Sequence, residues 1–166
     1  MRHATIASLP LILLASLPAH AQMVTITPSQ IGEIFCIGSL GNDMAPVEAL
    51  LTPEFTAAIA EAYASNAAYE AAHPGDKPPL GDGVPWRSWQ DYADGCTVGA
   101  SKVQADFATV DVDYSFAAEP GANYTNTLML KPVVIQPGMQ PFWRIDDVLL
   151  GEDNTTRHAL AEAFLP

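Results

Sequence analysis

Cationic side chains are scarce in this chain: seven Lys and Arg stand against nineteen Asp and Glu in 166 residues. That balance opposes nucleic acid, whose binding is carried by Lys and Arg at phosphates. It also opposes adhesion to anionic lipid. An acidic surface favours a basic partner or simply serves solubility. Histidine and cysteine are as sparse, at four and two residues. His73 and His158 have no partner at zinc-ligand spacing, so no metal site is expected. Asp76 and Asp82, and the run Glu152-Asp153-Asn154, lack the spaced aspartates of a calcium loop. No cofactor is expected: the chain has no G-x-S-x-G, no P-loop and no dinucleotide-binding glycine pattern. Internal repeats are absent. Beyond the N-terminal segment, no apolar run is long enough to cross a bilayer.

That N-terminal segment, "MRHATIASLPLILLASLPAHAQ", has a basic start at Arg2 and His3 and an apolar run from Ile6 to Leu17. Ala19-His20-Ala21 follows as an A-x-A cleavage signal. The layout is that of a secretory signal peptide over residues 1–21, with a short buried helix as the alternative. Cleavage would leave one domain, residues 22–166, with a net charge of −13 once Arg2 is gone. A chain of this size can bury about 70% of its unfolded surface, enough for a sizeable core. With no cysteine beside the cut, no lipoprotein anchor is expected after cleavage. The expected location is periplasmic or secreted. Cysteine usage fits: outside the cytosol, Cys36 and Cys96 are expected to pair, with two separate buried thiols as the alternative.

The first half reads as helices. Thr27, Pro28 and Gln30 give an N-cap, a first-position proline and a capping-box spacing. Ile31, Ile34, Phe35 and Leu40 form the buried stripe of that helix, and Gly41 is placed to end it. A short helix is expected from Pro46 to Leu51, and a long one from Pro53 to Ala72, capped by Thr52, with Phe55, Ile59, Ala62 and Tyr63 as its stripe. Pro and Gly make residues 73–85 a loop. Trp86, Trp89 and Tyr92 then recur at the spacing of one helical face.

The second half reads as strands. "CTVGASKVQ" is weak. "FATVDVDYSFA" alternates Val110, Val112, Tyr114 and Phe116 with Thr109, Asp111, Asp113 and Ser115. "YTNTLMLKPVVI" follows, with Pro132 marking a bulge or an edge position. "PFWRIDDVLL" is the last strand, and Asp153 or Asn154 caps a short C-terminal helix. Helices followed by antiparallel strands make an α+β domain, with the helices packed on one face of a twisted sheet of three to four strands.

The run "ATVDVDY … TLMLKP … FWRIDDV", with Trp143-Arg144-Ile145-Asp146 in the final strand and Trp89-Gln90-Asp91 before the strands, resembles the nuclear transport factor two-like superfamily. Within it the chain is most similar to secreted bacterial domains of unknown function, over about Ile31 to Leu149. The resemblance implies a cystatin-like cone, in which related enzymes place acid/base groups.

Adjacent strand residues point to opposite faces. Asp146 and Asp147 therefore cannot form a carboxylate dyad in a regular strand. Asp147 would share a face with Trp143 and Ile145, toward the mouth of the cone, where desolvation would suit it to proton transfer. The alternative is an ordinary strand-end acid. Trp86, Trp89 and Tyr92 form the best binding candidate, because such rings dominate contact energetics. The alternative is a lid that packs them over the sheet. Two functions follow. One is an exported non-catalytic domain, of inhibitor or immunity type or binding a small ligand, through Trp86, Trp89, Tyr92, Tyr114, Trp143 and Asp147. The other is a small cone-pocket lyase, isomerase or hydrolase using Asp147.

Overall fold

A computed structural model describes residues 25–81, 83–89, 91–134, 137 and 141–165. Residues 1–24, where a signal peptide is expected, Asp82 and Gln90 lie outside the described residues. The chain forms an α+β domain. Helices α1 (Pro28–Gly41), α2 (Ala45–Glu48) and α3 (Pro53–Ala72) precede strands β1 (Gly95–Val103), β2 (Ala108–Ser115), β3 (Tyr124–Val133), β4 (Phe142–Leu150) and β5 (Asn154–Thr155), and α4 (Thr156–Glu162) closes the fold. The named strands pair antiparallel, in the order β1-β2-β3-β4-β5.

The helix starts follow their signals. Thr27 accepts from the Gln30 N–H, and the Gln30 side chain accepts from the Thr27 N–H at 2.9 Å, a complete capping box. Thr52 caps α3 by accepting from the Phe55 N–H at 3.1 Å. Several ends differ from expectation, each for a local reason. α1 runs through Gly41, and Asn42 takes the left-handed conformation (φ 52°) that closes it on the Gly38 carbonyl. α2 stops at Glu48 because the following residues join the sheet: Ile145 donates to the Leu50 carbonyl at 2.9 Å, and Thr52 donates to the Ile145 carbonyl at 2.8 Å. Tyr63 is exposed, since α3 buries Phe55, Ile59 and Ala62, one narrow stripe.

Among the described residues the sheet has five strands, where the sequence predicts three to four. The extra one is Asn154–Thr155, which pairs with Leu149 and Leu150 after a turn at Gly151 (φ 76°), a conformation that glycine adopts without strain. Because the chain is still extended there, α4 is capped by Thr155, not by Asp153 or Asn154. Pro132 lies where β3 has run past its pairing with β2, so its missing N–H disrupts no ladder on that side.

The core sits between the helices and one sheet face. Ile31, Phe35 and Phe55 meet Val110, Val112, Leu128, Leu130, Ile145 and Val148, all essentially inaccessible. Burying side chains of this size contributes about 1.5–3 kcal/mol each. The other face is polar, and there Thr125 donates to Asp113 at 2.6 Å and Thr127 to Asp111 at 2.8 Å. A Cys36–Cys96 disulfide, with Cα atoms 5.8 Å apart, ties α1 to β1. Among the described residues no helix is long and apolar enough to cross a membrane.

Candidate functional site

The segment from Val84 to Tyr92 follows the Pro/Gly loop and lies across one end of the sheet. Its described residues are not helical, although its aromatic spacing predicts a helical face. Two of its carbonyls are taken by side chains from elsewhere, and the Val84 carbonyl accepts the Trp86 N–H at 2.9 Å, two residues on. Thr156 donates to the Pro85 carbonyl at 2.8 Å, and Asn126 donates to the Trp86 carbonyl at 3.3 Å. The Ser88 hydroxyl in turn donates to Asn126 Oδ1. Asn126 is fully buried near the start of β3, on the core-facing side it shares with Leu128 and Leu130. A buried amide is costly unless its groups are satisfied. Here it is used to clamp the segment.

The three aromatic residues then part company. Trp86 turns inward and meets Phe35 and Phe55 edge-on, with ring centroids 6.4 and 5.8 Å apart. Trp89 and Tyr92 stay 57% and 56% exposed, too open for rings that serve only as a lid. Trp89 is steadied by its indole N–H, which donates to Asp91 at 3.0 Å. Arg87 lies over the Tyr92 ring, 4.7 Å from its centroid.

Beneath this segment is a cleft of about 600 Å³. Trp86, Arg87, Trp89 and Tyr92 form one wall, Ser39 comes from α1, and Leu150 and Asn154 come from the β4–β5 turn. Asn154 Oδ1 is buried and meets no hydrogen-bond partner among the described residues. Tyr114 lies behind the cleft and shares a 2.7 Å hydrogen bond with Ser39, while its ring stacks on Tyr124 at 4.8 Å. Burial pushes both phenols above their usual pKa range, against the lowering influence of Arg87 and, for Tyr114, the Ser39 bond. Both are neutral at physiological pH and serve as hydrogen-bonding or packing groups.

The structure thus gathers Trp86, Trp89 and Tyr92, with Tyr114 just behind them. It leaves Trp143 and Asp147 elsewhere. Trp143 packs on the core near the start of β4, the end opposite Leu150. The alternation expected through "FWRIDDV" breaks at a bulge: Leu130 pairs with Ile145 and Met129 with Asp147, so Asp146 is the extra residue. One inserted residue swaps the faces beyond it. Ile145 and Val148 both enter the core as a result.

The two acids consequently hold different things. Asp147 Oδ1 accepts the Val148 N–H at 2.8 Å and the Arg157 N–H at 3.0 Å, the latter an otherwise unpaired donor in the first turn of α4. Asp146 lines a cavity, together with Thr52, Lys131 and Arg157. It accepts from Thr52 at 2.9 Å and pairs with Lys131 at 2.6 Å and Arg157 at 3.0 Å. Burial alone would raise its pKa; Lys131, Thr52 and Arg157 outweigh that and hold it below the usual carboxylate range. An acid held ionised by two cations is suited to structure more than to proton transfer.

Sequence reasoning missed Ser39, Arg87, Ser88, Asn126 and Asn154. A signal existed for Ser39 and Asn126, polar residues on otherwise apolar stripes. Asn154 has none, because only the β4–β5 turn brings it to the cleft. His158 pairs with Glu162 at 3.1 Å, and His73 stacks on Tyr69 at 4.3 Å. No family model, no curated protein and no solved structure matches the chain.

Proposed function

We propose that this chain is an exported, non-catalytic domain that binds a small ligand in the cleft beneath Val84–Tyr92. The observation that carries the reading is the exposure of Trp89 and Tyr92 at the rim of a cleft whose wall is clamped by Asn126 and Thr156. Large rings held in place before binding lose little entropy when a ligand arrives. The concave shape and modest volume favour a small ligand over a protein surface. An inhibitor or immunity role with a basic protein partner rests on the net charge of −12 alone.

Export is supported by the leader-like sequence and by the disulfide, which suits an oxidising compartment. The order of helices before an antiparallel sheet supports placing the chain in the nuclear transport factor two-like superfamily, with the cleft at the open end of its cone. Acid–base use of Asp147 gains no support from its two backbone hydrogen bonds.

A thermal-shift screen of small polar compounds against the mature protein tests the reading. Stabilising compounds should lose their effect on Trp89→Ala and Tyr92→Ala and keep it on Asp147→Asn. Hits that survive both aromatic substitutions would place binding elsewhere.

A further inference from the structure

We infer that the cleft takes a neutral, polyhydroxylated ligand, a saccharide in chemical class. This rests on the binding reading above and adds what the ligand must be. Three observations select the class. The first is charge. The described lining has no carboxylate to hold a cation, and its one cation, Arg87, is stacked on Tyr92. An anion would also approach against the field of a chain with a net charge of −12. A ligand without charge meets neither obstacle.

The second is the kind of polar group present. Asn42, Ser88 and Asn154 bring uncharged amides and a hydroxyl, groups that accept as well as donate. A sugar hydroxyl does both too. Asn154 Oδ1 is buried and unmatched among the described residues, which costs free energy until a donor arrives. A small turn of the Asn154 side chain into the cleft, which it lines, would let a ligand hydroxyl supply that donor without bringing a charge.

The third is the pair of exposed rings. The C–H face of a pyranose is apolar while its edge carries hydroxyls. It can cover the flat face of Trp89 and the Tyr92 face that Arg87 leaves open, and still present hydroxyls to Asn154. Among the described lining residues the larger non-aromatic apolar side chains are single ones from separate parts of the chain, Met44, Val84 and Leu150, and Trp86 is already packed on Phe35 and Phe55. An uncharged peptide would therefore find few apolar recesses for its side chains.

Calorimetric titration of the mature protein with cellohexaose, xylohexaose, maltohexaose and chitohexaose tests this, beside acetylated and amidated uncharged tetrapeptides. At least one hexasaccharide should bind saturably. Asn154→Ala should weaken it about tenfold, the equivalent of one lost hydrogen bond. Trp89→Ala should weaken it further, with the fold of each variant checked by circular dichroism. If only tetrapeptides bind, and Trp89→Ala abolishes that, the saccharide class is wrong and the cleft stands as the site. If a saccharide binds but ignores Trp89→Ala and Tyr92→Ala, the cleft is not the site. Binding by none of these probes overturns the saccharide inference.

Discussion

Arg157 holds Asp146 through its side chain, with Nη2 3.0 Å from Asp146 Oδ1 and Nε 2.7 Å from the Asp146 carbonyl oxygen. The same guanidinium lies over the Phe55 ring at 4.9 Å and donates to the Glu54 carbonyl at 3.2 Å. One residue of α4 therefore joins β4 to the start of α3. The bulge makes this possible by turning Asp146 out of the ladder.

Asp146→Asn should destabilise the domain by about 2 kcal/mol at neutral pH, the scale of hydrogen bonds to a charged group. Lys131 contributes little of this, because its ammonium is largely exposed. The folded-state pKa of Asp146 is lowered, so its stabilisation is present above the unfolded pKa of about 3.9 and is lost as pH falls through the folded value. Urea unfolding should show the difference between the wild type and Asp146→Asn shrinking below about pH 4. A difference that does not change with pH would refute the linkage.

Asp147 makes the opposite comparison. Asparagine keeps an oxygen for the Val148 and Arg157 N–H groups, so Asp147→Asn should cost under about 1 kcal/mol, while Asp147→Ala strands both donors and should cost about 2 kcal/mol. Equal losses in denaturant unfolding would show that the charge, not the acceptor, matters there.

The Cys36–Cys96 bridge closes a separation of 60 residues. On the chain-entropy model its removal should cost up to about 4 kcal/mol. A Cys36→Ser/Cys96→Ser double variant should show that loss in equilibrium unfolding, and the oxidised wild type should show no alkylatable thiol by mass spectrometry. Two reactive thiols without reductant would contradict the bridge.

Gly32 marks the closest approach of α1 to the sheet. A Cβ there would stand 2.8 Å from Val110 Cγ1 and 3.3 Å from both Val98 methyls. Gly32→Ala should thus cost about 1–3 kcal/mol by overpacking, despite alanine's better helix propensity. A rise in melting temperature would mean that the helix shifts without penalty.

Much of the fold was legible locally. Thr27, Pro28 and Gln30 declare the first helix, Thr52 and Pro53 the third, and the alternation through Val110, Val112 and Tyr114 gives β2. What was not legible depends on contacts between distant residues. The bulge at Asp146 follows from pairing with Met129 and Leu130, and no residue type in "RIDDV" announces it. The strand at Asn154–Thr155 exists only because Leu149 and Leu150 lie beside it. At the candidate site the aromatic spacing was visible, but its helical reading failed because Thr156 and Asn126 take the carbonyls that a helix would need. The other walls of the cleft, Ser39 of α1 and Leu150 and Asn154 on either side of the β4–β5 turn, come beside Trp89 and Tyr92 only when the chain is folded.

The three tryptophans provide the most direct test of the central claim, that the cleft beneath Val84–Tyr92 is the ligand site. Their indole N–H signals can be assigned in a ¹⁵N-labelled sample by substituting each in turn. On titration with compounds that stabilise the wild type in the thermal-shift screen, the Trp89 signal should move first and furthest. Trp86, behind it in the wall, should move less, and Trp143, at the opposite end of β4, should not move. A shift confined to Trp143, or saturation of binding with the Trp89 signal unmoved, would contradict the account.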